Sequence, residues 1–343
     1  MLGVIIGVTV TGCVGMSPTR KSYVEEKEKK LKIGFSVSSL VLERWQRDRD
    51  IFTATAKNLG ADVNVQNANG STKEQMDQIE YFIQQKMDVI VIIPEDCGAL
   101  TKVVKKAKNA GIPVISYDRL IENADVDLYI SFDNQAVGEL MAEELIHTIP
   151  SGGNIFMIQG PLEDNNVKQV KEGFEKRIQS SSLKVVYESN CKGWISENAV
   201  DSIKEALKKY PDVDGIMCGN DELAGKVFQL LAERQLVGKV SIVGQDGDLS
   251  ACQRIVEGFQ TMTAFKDIDQ LAQTVAEYAI KIGEGKVGKD DPFVKDTIDD
   301  GSYEVPYLKL PVVAVTKKNI DKVIIERGFH LKEDVYLNVK KKK

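Results

Sequence analysis

The chain has 343 residues, 43% of them apolar and 28% charged, with a formal net charge of −6. That balance belongs to globular proteins and supplies apolar material for about two ordinary cores. The acidic surplus repels phosphate backbones and argues against a nucleic-acid partner; no apolar run reaches the roughly 18 residues of a membrane-spanning helix.

The first element is LGVIIGVTVTG (2–12), apolar or small throughout and followed by Cys13. This length suits the apolar core of a signal peptide, although no Lys or Arg precedes it. Val10-Thr11-Gly12-Cys13 looks like a bacterial lipobox, which makes Cys13 the expected lipidation site and the mature N-terminus. Residues 17–30 are charged and poor in apolar side chains, so 1–30 read as signal, lipobox and tether.

From residue 31 a short β-branched run, a turn and an amphipathic helix alternate. Strands are expected at 31–37, 61–67, 88–93, 112–117 and 127–132, then at 153–158, 183–188, 213–218, 239–243 and 261–265. Helices fall between them. In 72–86, Met76, Ile79, Ile83 and Met87 recur at helical spacing, and Ser71 with Glu74 reads as a capping box. In 134–148, Val137, Leu140, Met141 and Leu145 share a face; a third helix covers 269–282. Near-continuous apolar strands alternating with helices mean parallel sheets covered on both faces. The fold class is therefore α/β, with two doubly wound parallel-sheet lobes.

In such sheets ligands bind beyond the carboxyl ends of the strands, so the loops there carry the information. They hold Trp45 and Trp194, the chain's two tryptophans, with Arg44, Arg47, Asp118, Arg119, Asp164, Asn166, Asn220, Asp246 and Lys266. A pyranose offers apolar C–H faces to aromatic planes and hydroxyls to side chains that pair with two groups at once. The competing explanation is that strand-end Asp and Asn merely cap the following helices.

The segments LERWQRDRDIF (42–52), QNANGS (66–71), VIIPED (91–96), SYDRLI (116–121) and LYISFDNQAVGEL (128–140) strongly resemble the periplasmic D-xylose-binding protein family. So do EDNN (163–166), KGWISENA (192–199), GNDELAG (219–225), VGQDGDL (243–249) and TMTAFKDI (261–268), in preserved order from about residue 31 to 335. The resemblance implies the type I periplasmic-binding-protein fold, two lobes joined by a three-crossover hinge near 132, 265 and 310. The lobes would be 31–132 plus 266–310 and 133–265 plus 311–339. It implies sugar contacts from Arg44, Arg119, Asp164, Asn166, Trp194, Asn220, Asp246 and Lys266, with Trp45 stacking across the ring from Trp194. Ser38-Ser39 departs from the family, which often has an acidic pair there; Phe265 and Gln159-Gly160 also differ from the commonest forms.

Other motifs carry less. Gly283-Glu-Gly285-Lys-Val-Gly288 has the dinucleotide glycine spacing but follows a helix rather than a strand. Asp246, Asp248, Ser250 and Glu257 match a calcium loop in part, with Ala251 where glycine is needed. Asn69-Gly70-Ser71 is a sequon placed as a helix cap, and the terminal KKKK reads as a solvated tail. The five cysteines show no CxxC or zinc spacing and demand no disulfide. His147 and His330 lie far apart, and no nucleophile elbow occurs. A DNA-binding repressor would need an N-terminal helix-turn-helix module, for which the 30 residues before the first strand leave no room. An enzyme acting on pentoses lacks catalytic groups, because the cleft's carboxylates are mixed with Arg and Lys that hold them ionised.

The expectation is an extracytoplasmic D-xylose receptor without cofactor, lipid-anchored to the outer face of the cell membrane. It would present its closed form to an ABC permease for uptake. The alternative partner is the extracellular domain of a membrane histidine kinase in a two-component system.

Overall fold

The computed structural model describes residue 3 and residues 30–287, 291–292 and 294–339. Cys13 with its lipobox, nearly all of the tether, Gly288 and the terminal lysines lie outside the described residues. The chain divides into Met1–Lys30 and a compact unit running from Leu31 to Lys343, which carries the elements below.

The strands are β1 (Lys32–Val37), β2 (Asp62–Asn67), β3 (Val89–Ile93), β4 (Val114–Tyr117) and β5 (Leu128–Phe132). Then come β6 (Gly153–Gln159), β7 (Leu183–Asn190), β8 (Val213–Cys218), β9 (Ser241–Asp246) and β10 (Met262–Phe265), and finally β11 (Asp296–Asp299), β12 (Glu304–Leu310) and β13 (Val313–Thr316). The helices are α1 (Glu43–Asn58), α2 (Thr72–Gln84), α3 (Thr101–Asn109), α4 (Asn134–Thr148) and α5 (Asn165–Ile178). They continue with α6 (Val200–Lys209), α7 (Asp221–Glu233), α8 (Leu249–Glu257), α9 (Ile268–Gly283) and α10 (Lys332–Val335).

One sheet runs β11-β12-β5-β4-β3-β1-β2 and the other β13-β10-β9-β8-β6-β7. Among the described residues, only β11 with β12 and β10 with β13 pair antiparallel. Both sheets are covered on both faces, as the apolar runs require. Val89, Val91 and Ile93 of β3 enter one core cluster while Ile90 and Ile92 enter another. In β6, Phe156 and Ile158 part in the same way from Ile155 and Met157. The chain passes between the sheets three times, after β5, after β10 and after β12.

The strands β11, β12 and β13 are additions to the sequence reading. They lie at or beside sheet edges, β11 is largely exposed, and Pro306 interrupts the apolar pattern of β12. The buried stripe of α2 also differs from the expected one: Gln75, Gln78, Ile79 and Phe82 face inward. Met76 and Ile83 are only half-buried there. The glutamines are tolerated because they are satisfied, Gln75 donating to Ile93 O at 2.8 Å and Gln78 accepting from Ser36 Oγ at 2.9 Å. Phe82 packs over Gly34, where a Cβ would lie 2.6 Å from its ring. The Ser71 cap forms, its hydroxyl accepting from Glu74 N at 3.3 Å. Cys97, Cys191, Cys218 and Cys252 are buried and free.

Candidate functional site

Between the carboxyl ends of the two sheets lies a cavity lined by Arg44, Trp45, Arg119, Asp164, Asn166, Trp194, Asn220, Asp246 and Lys266. All nine residues carried by the resemblance thus meet in one place, drawn from loops and helix starts that span more than two hundred positions. Leu42, Asp118 and Gln245 complete the lining. Gln245 precedes Asp246 in the same motif, and Asp118 precedes Arg119 at the end of β4.

Arg44 sits in the first turn of α1, a place that disfavours a cation. Three carboxylates hold it there: Asp118 Oδ2 at 2.8 Å, Asp48 Oδ2 at 3.4 Å and Asp246 Oδ1 at 3.5 Å. Burial opposes the charge, but these acids outweigh it and raise the guanidinium above its ordinary value. Burial likewise opposes ionisation of Asp118, yet Arg44, Lys266 and Arg119 together bring it below the usual carboxylate value. Lys266 is 2% exposed and lies 4.0 Å from Asp246. Burial lowers its ammonium against the pull of Asp246 and Asp118.

The acids and amides serve two masters. Asp164 caps α5 with Oδ1, which accepts from Asn166 N at 3.0 Å. Its Oδ2 accepts from Trp194 Nε1 at 3.1 Å and meets Arg119 Nε at 2.7 Å. Asn220 caps α7 through Oδ1 to Leu223 N at 2.9 Å, and its amide donors have no partner among the described residues. Capping therefore accounts for one oxygen of each group and leaves the rest at the cavity. Asn166 donates to Asp118 Oδ1 at 3.1 Å and accepts from Asn134 Nδ2 at 3.0 Å.

Backbone strain collects here. Asp118 (φ 62), Trp194 (φ 60) and Asp246 (φ 104) all take left-handed conformations that side chains other than glycine rarely adopt. Trp194 is seated against β6 by Gly160, where a Cβ would collide with the indole ring. Trp45 is 3% exposed, and the Arg44 guanidinium lies 4.1 Å from its ring centroid and that of Arg119 5.3 Å. Two cations thus rest on the indole that was expected to stack on a sugar. Arg47, a strand-end residue in the sequence reading, turns away to pair with Asp269 at 2.6 Å.

A buried layer supports the cavity, and the sequence reading did not single it out. Asp48, fully buried on α1, accepts from the Tyr117 hydroxyl behind Arg44. Asp221 Oδ2 accepts from Gly247 N at 3.0 Å and from Thr263 Oγ1 at 2.7 Å, fixing the turn that follows strained Asp246. His330 meets Gly247 O at 2.8 Å from the other side. The signal for Asp48 was its place four residues after Arg44, the spacing of one helical turn.

Residues 33–287 match the model of the periplasmic binding protein domain. The chain is 42% identical over 336 residues to the D-xylose-binding periplasmic protein of Escherichia coli strain K12, covering 96% of this chain and 99% of that one. It is 43% identical over 313 residues to the protein of the same name from Haemophilus influenzae, covering 90% and 93%. In three dimensions it is similar to a carbohydrate transporter solute-binding protein from Chloroflexus aurantiacus in complex with D-glucose. The TM-score there is 0.81 at 26% identity, over 89% of this chain and 98% of that one. The architecture is that of type I periplasmic binding proteins, and the members of the family bind solutes without transforming them. On a family model covering most of the chain and relatives more than 40% identical over more than nine-tenths of their length, this protein belongs to the periplasmic D-xylose-binding protein family.

Proposed function

We propose that the chain is an extracytoplasmic receptor for D-xylose, held between its lobes by the nine cavity residues. The observation that carries this reading is one cavity that brings those nine residues together from both lobes. Its chemistry suits a neutral polyol. Ionised Asp118 accepts from hydroxyls, Arg119, Lys266 and the free amide donors of Asn220 donate to them, and Trp194 offers an apolar plane. The cavity measures about 30 Å³. A pentose would enter with the lobes parted and be held as they close on it. A ligand favours the closed arrangement only by binding it better than the open one.

Titration calorimetry against a pentose and hexose panel tests the ligand. D-xylose should bind with one site per chain; silence with xylose and clear heat with another sugar rejects the assignment. Arg119→Ala should weaken binding by about 1.5–3 kcal/mol, the scale of a hydrogen bond to a charged group; unchanged affinity removes Arg119 from the site. The closed form would be read by an ABC permease for uptake, a role supported by the transporter descriptions of similar solved structures. Attachment to the membrane would run through a lipid on Cys13, so Cys13→Ser should release the protein from the membrane fraction.

A further inference from the structure

Three of the cavity residues sit at the ends of neighbouring elements: Asn220 caps α7, Asp246 ends β9 and Lys266 follows β10. One side chain outside the cavity touches the segments that carry all three. Asp221, the first residue of α7, is fully buried and does not line the cavity.

Its carboxylate is surrounded by donors. Oδ2 accepts from Gly247 N at 3.0 Å, Asp248 N at 3.1 Å and Thr263 Oγ1 at 2.7 Å, and Oδ1 accepts from Gln260 Nε2 at 2.8 Å. Successive backbone N–H groups converging on one oxygen make a small anion-binding concavity, filled here from within the chain. Only an ionised carboxylate accepts on every side. Arg254 sets a cation behind it, with Nη2 donating to Asp221 O at 2.9 Å and Nε to Gln260 Oε1 at 3.0 Å. Burial raises the Asp221 carboxyl, against the Thr263 hydroxyl and Arg254, which favour the ionised form. Gly244 of β9 leaves the space, since a Cβ there would lie 2.3 Å from Asp221 Oδ1.

Asp246 needs this support. Its φ is 104° and that of Gly247 is 81°, so two successive residues hold left-handed backbone, costly for the aspartate. Its side chain is held only at long range, with Arg44 Nη1 3.5 Å and Lys266 Nζ 4.0 Å from Oδ1. The direction of the Asp246 carboxylate is therefore set by its backbone. That backbone is fixed in turn by the N–H groups of the next two residues, and both end on Asp221.

We propose that Asp221 is a positioning residue for sugar binding, setting affinity through Asp246 without touching the ligand. The inference rests on the receptor reading above and adds to it a residue that the cavity does not contain.

The test is a double-mutant cycle read by xylose titration of the whole protein, carried to concentrations near the solubility of the sugar so that weak variants stay measurable. Asp221→Asn turns an amide N–H2 toward donors and should weaken xylose about five- to fiftyfold. In an Asp246→Ala background the same change should alter affinity by less than about twofold, because the group it acts through is gone. In an Arg119→Ala background the full loss should reappear, since Arg119 pairs with Pro94 O and Asp164 and shares no partner with Asp221 among the described residues. Thr263→Val removes the hydroxyl that joins Asp221 Oδ2 to Gly247 N. It should show the same pattern with a loss of about two- to twelvefold, the scale of one hydrogen bond, and it carries the cycle if Asp221→Asn does not fold. A loss that persists undiminished beside Asp246→Ala shows a merely structural role and refutes the proposal, as does unchanged affinity in both single variants. If the wild type binds no xylose, the receptor reading beneath it falls instead.

Discussion

At the scale of single residues, the cavity is a balance of buried charges in which each group fixes its neighbour's state. Arg44 is fastened by Asp48, Asp118 and Asp246, and burying a cation among acids is tolerable only because its donors are so fully engaged. Asp118 is thereby kept ionised, the state in which it would accept hydrogen bonds from a bound sugar. Asp48 behaves differently. Burial raises its carboxyl to about 7, although Arg44 and the Tyr117 hydroxyl pull it down while Asp118 pushes it up. The folded state thus holds this proton more tightly than the unfolded chain. The stability it contributes is complete below about pH 4, and is lost as the pH rises through about 7. Urea unfolding of the wild type and of Asp48→Asn across that range isolates the effect. The wild type should lose stability relative to the variant as the pH rises, because the amide cannot ionise. Parallel profiles would mean that Asp48 is ionised throughout.

At the scale of elements, glycine decides how closely helices and strands can approach. The contact between α4 and α5 is made through Gly138 and Gly173. A Cβ on the first would collide with Val170 O, and one on the second with Gln135 O. The two helices therefore meet backbone to backbone, which fixes the N-terminus of α5 and with it the Asp164 cap. Gly138→Ala should cost about 1–3 kcal/mol, the usual penalty of overpacking, read as a lower midpoint of urea unfolding. Because the displaced helix carries Asp164 and Asn166, xylose affinity should fall in the same variant. An unchanged midpoint would show that the helix pair yields without strain. Helix caps were legible in this sequence, and Ser71, Asp164 and Asn220 all cap. The inward face of α2 was less so, since Gln75 and Gln78 look like surface residues until the partners that satisfy them are known.

At the scale of the whole molecule, three passages between the sheets hold two lobes whose facing loops form the cavity. Arg44 with Asp246, Arg119 with Asp164 and Asn166 with Asp118 each join one lobe to the other. A ligand bound only by the folded, closed chain stabilises it by mass action, about 2.7 kcal/mol when its concentration is a hundred times Kd. D-xylose at that excess should raise the urea midpoint accordingly, and Asp246→Ala should reduce the gain by removing a contact on the far lobe. A sugar that binds but leaves the midpoint unmoved would bind the unfolded chain equally well, contrary to a site built from both lobes.

The sequence by itself determined the alternation of strand and helix, the double cover of both sheets and the set of strand-end residues that meet at the cavity. The first two follow from local periodicity, and the set of residues from motifs shared with the family, both of which are written along the chain. Only the tertiary structure decided what those residues do to one another. That Arg44 and Arg119 rest on Trp45, that Asp48 braces Arg44 from behind, and that Asp221 and His330 pin the turn after Asp246 depend on contacts between distant segments. So does the registration of β11, β12 and β13, whose short or interrupted apolar runs acquire strand geometry from the neighbours they pair with. Burial and proximity set the charge states and the room for a ligand, and neither is a property of any residue alone.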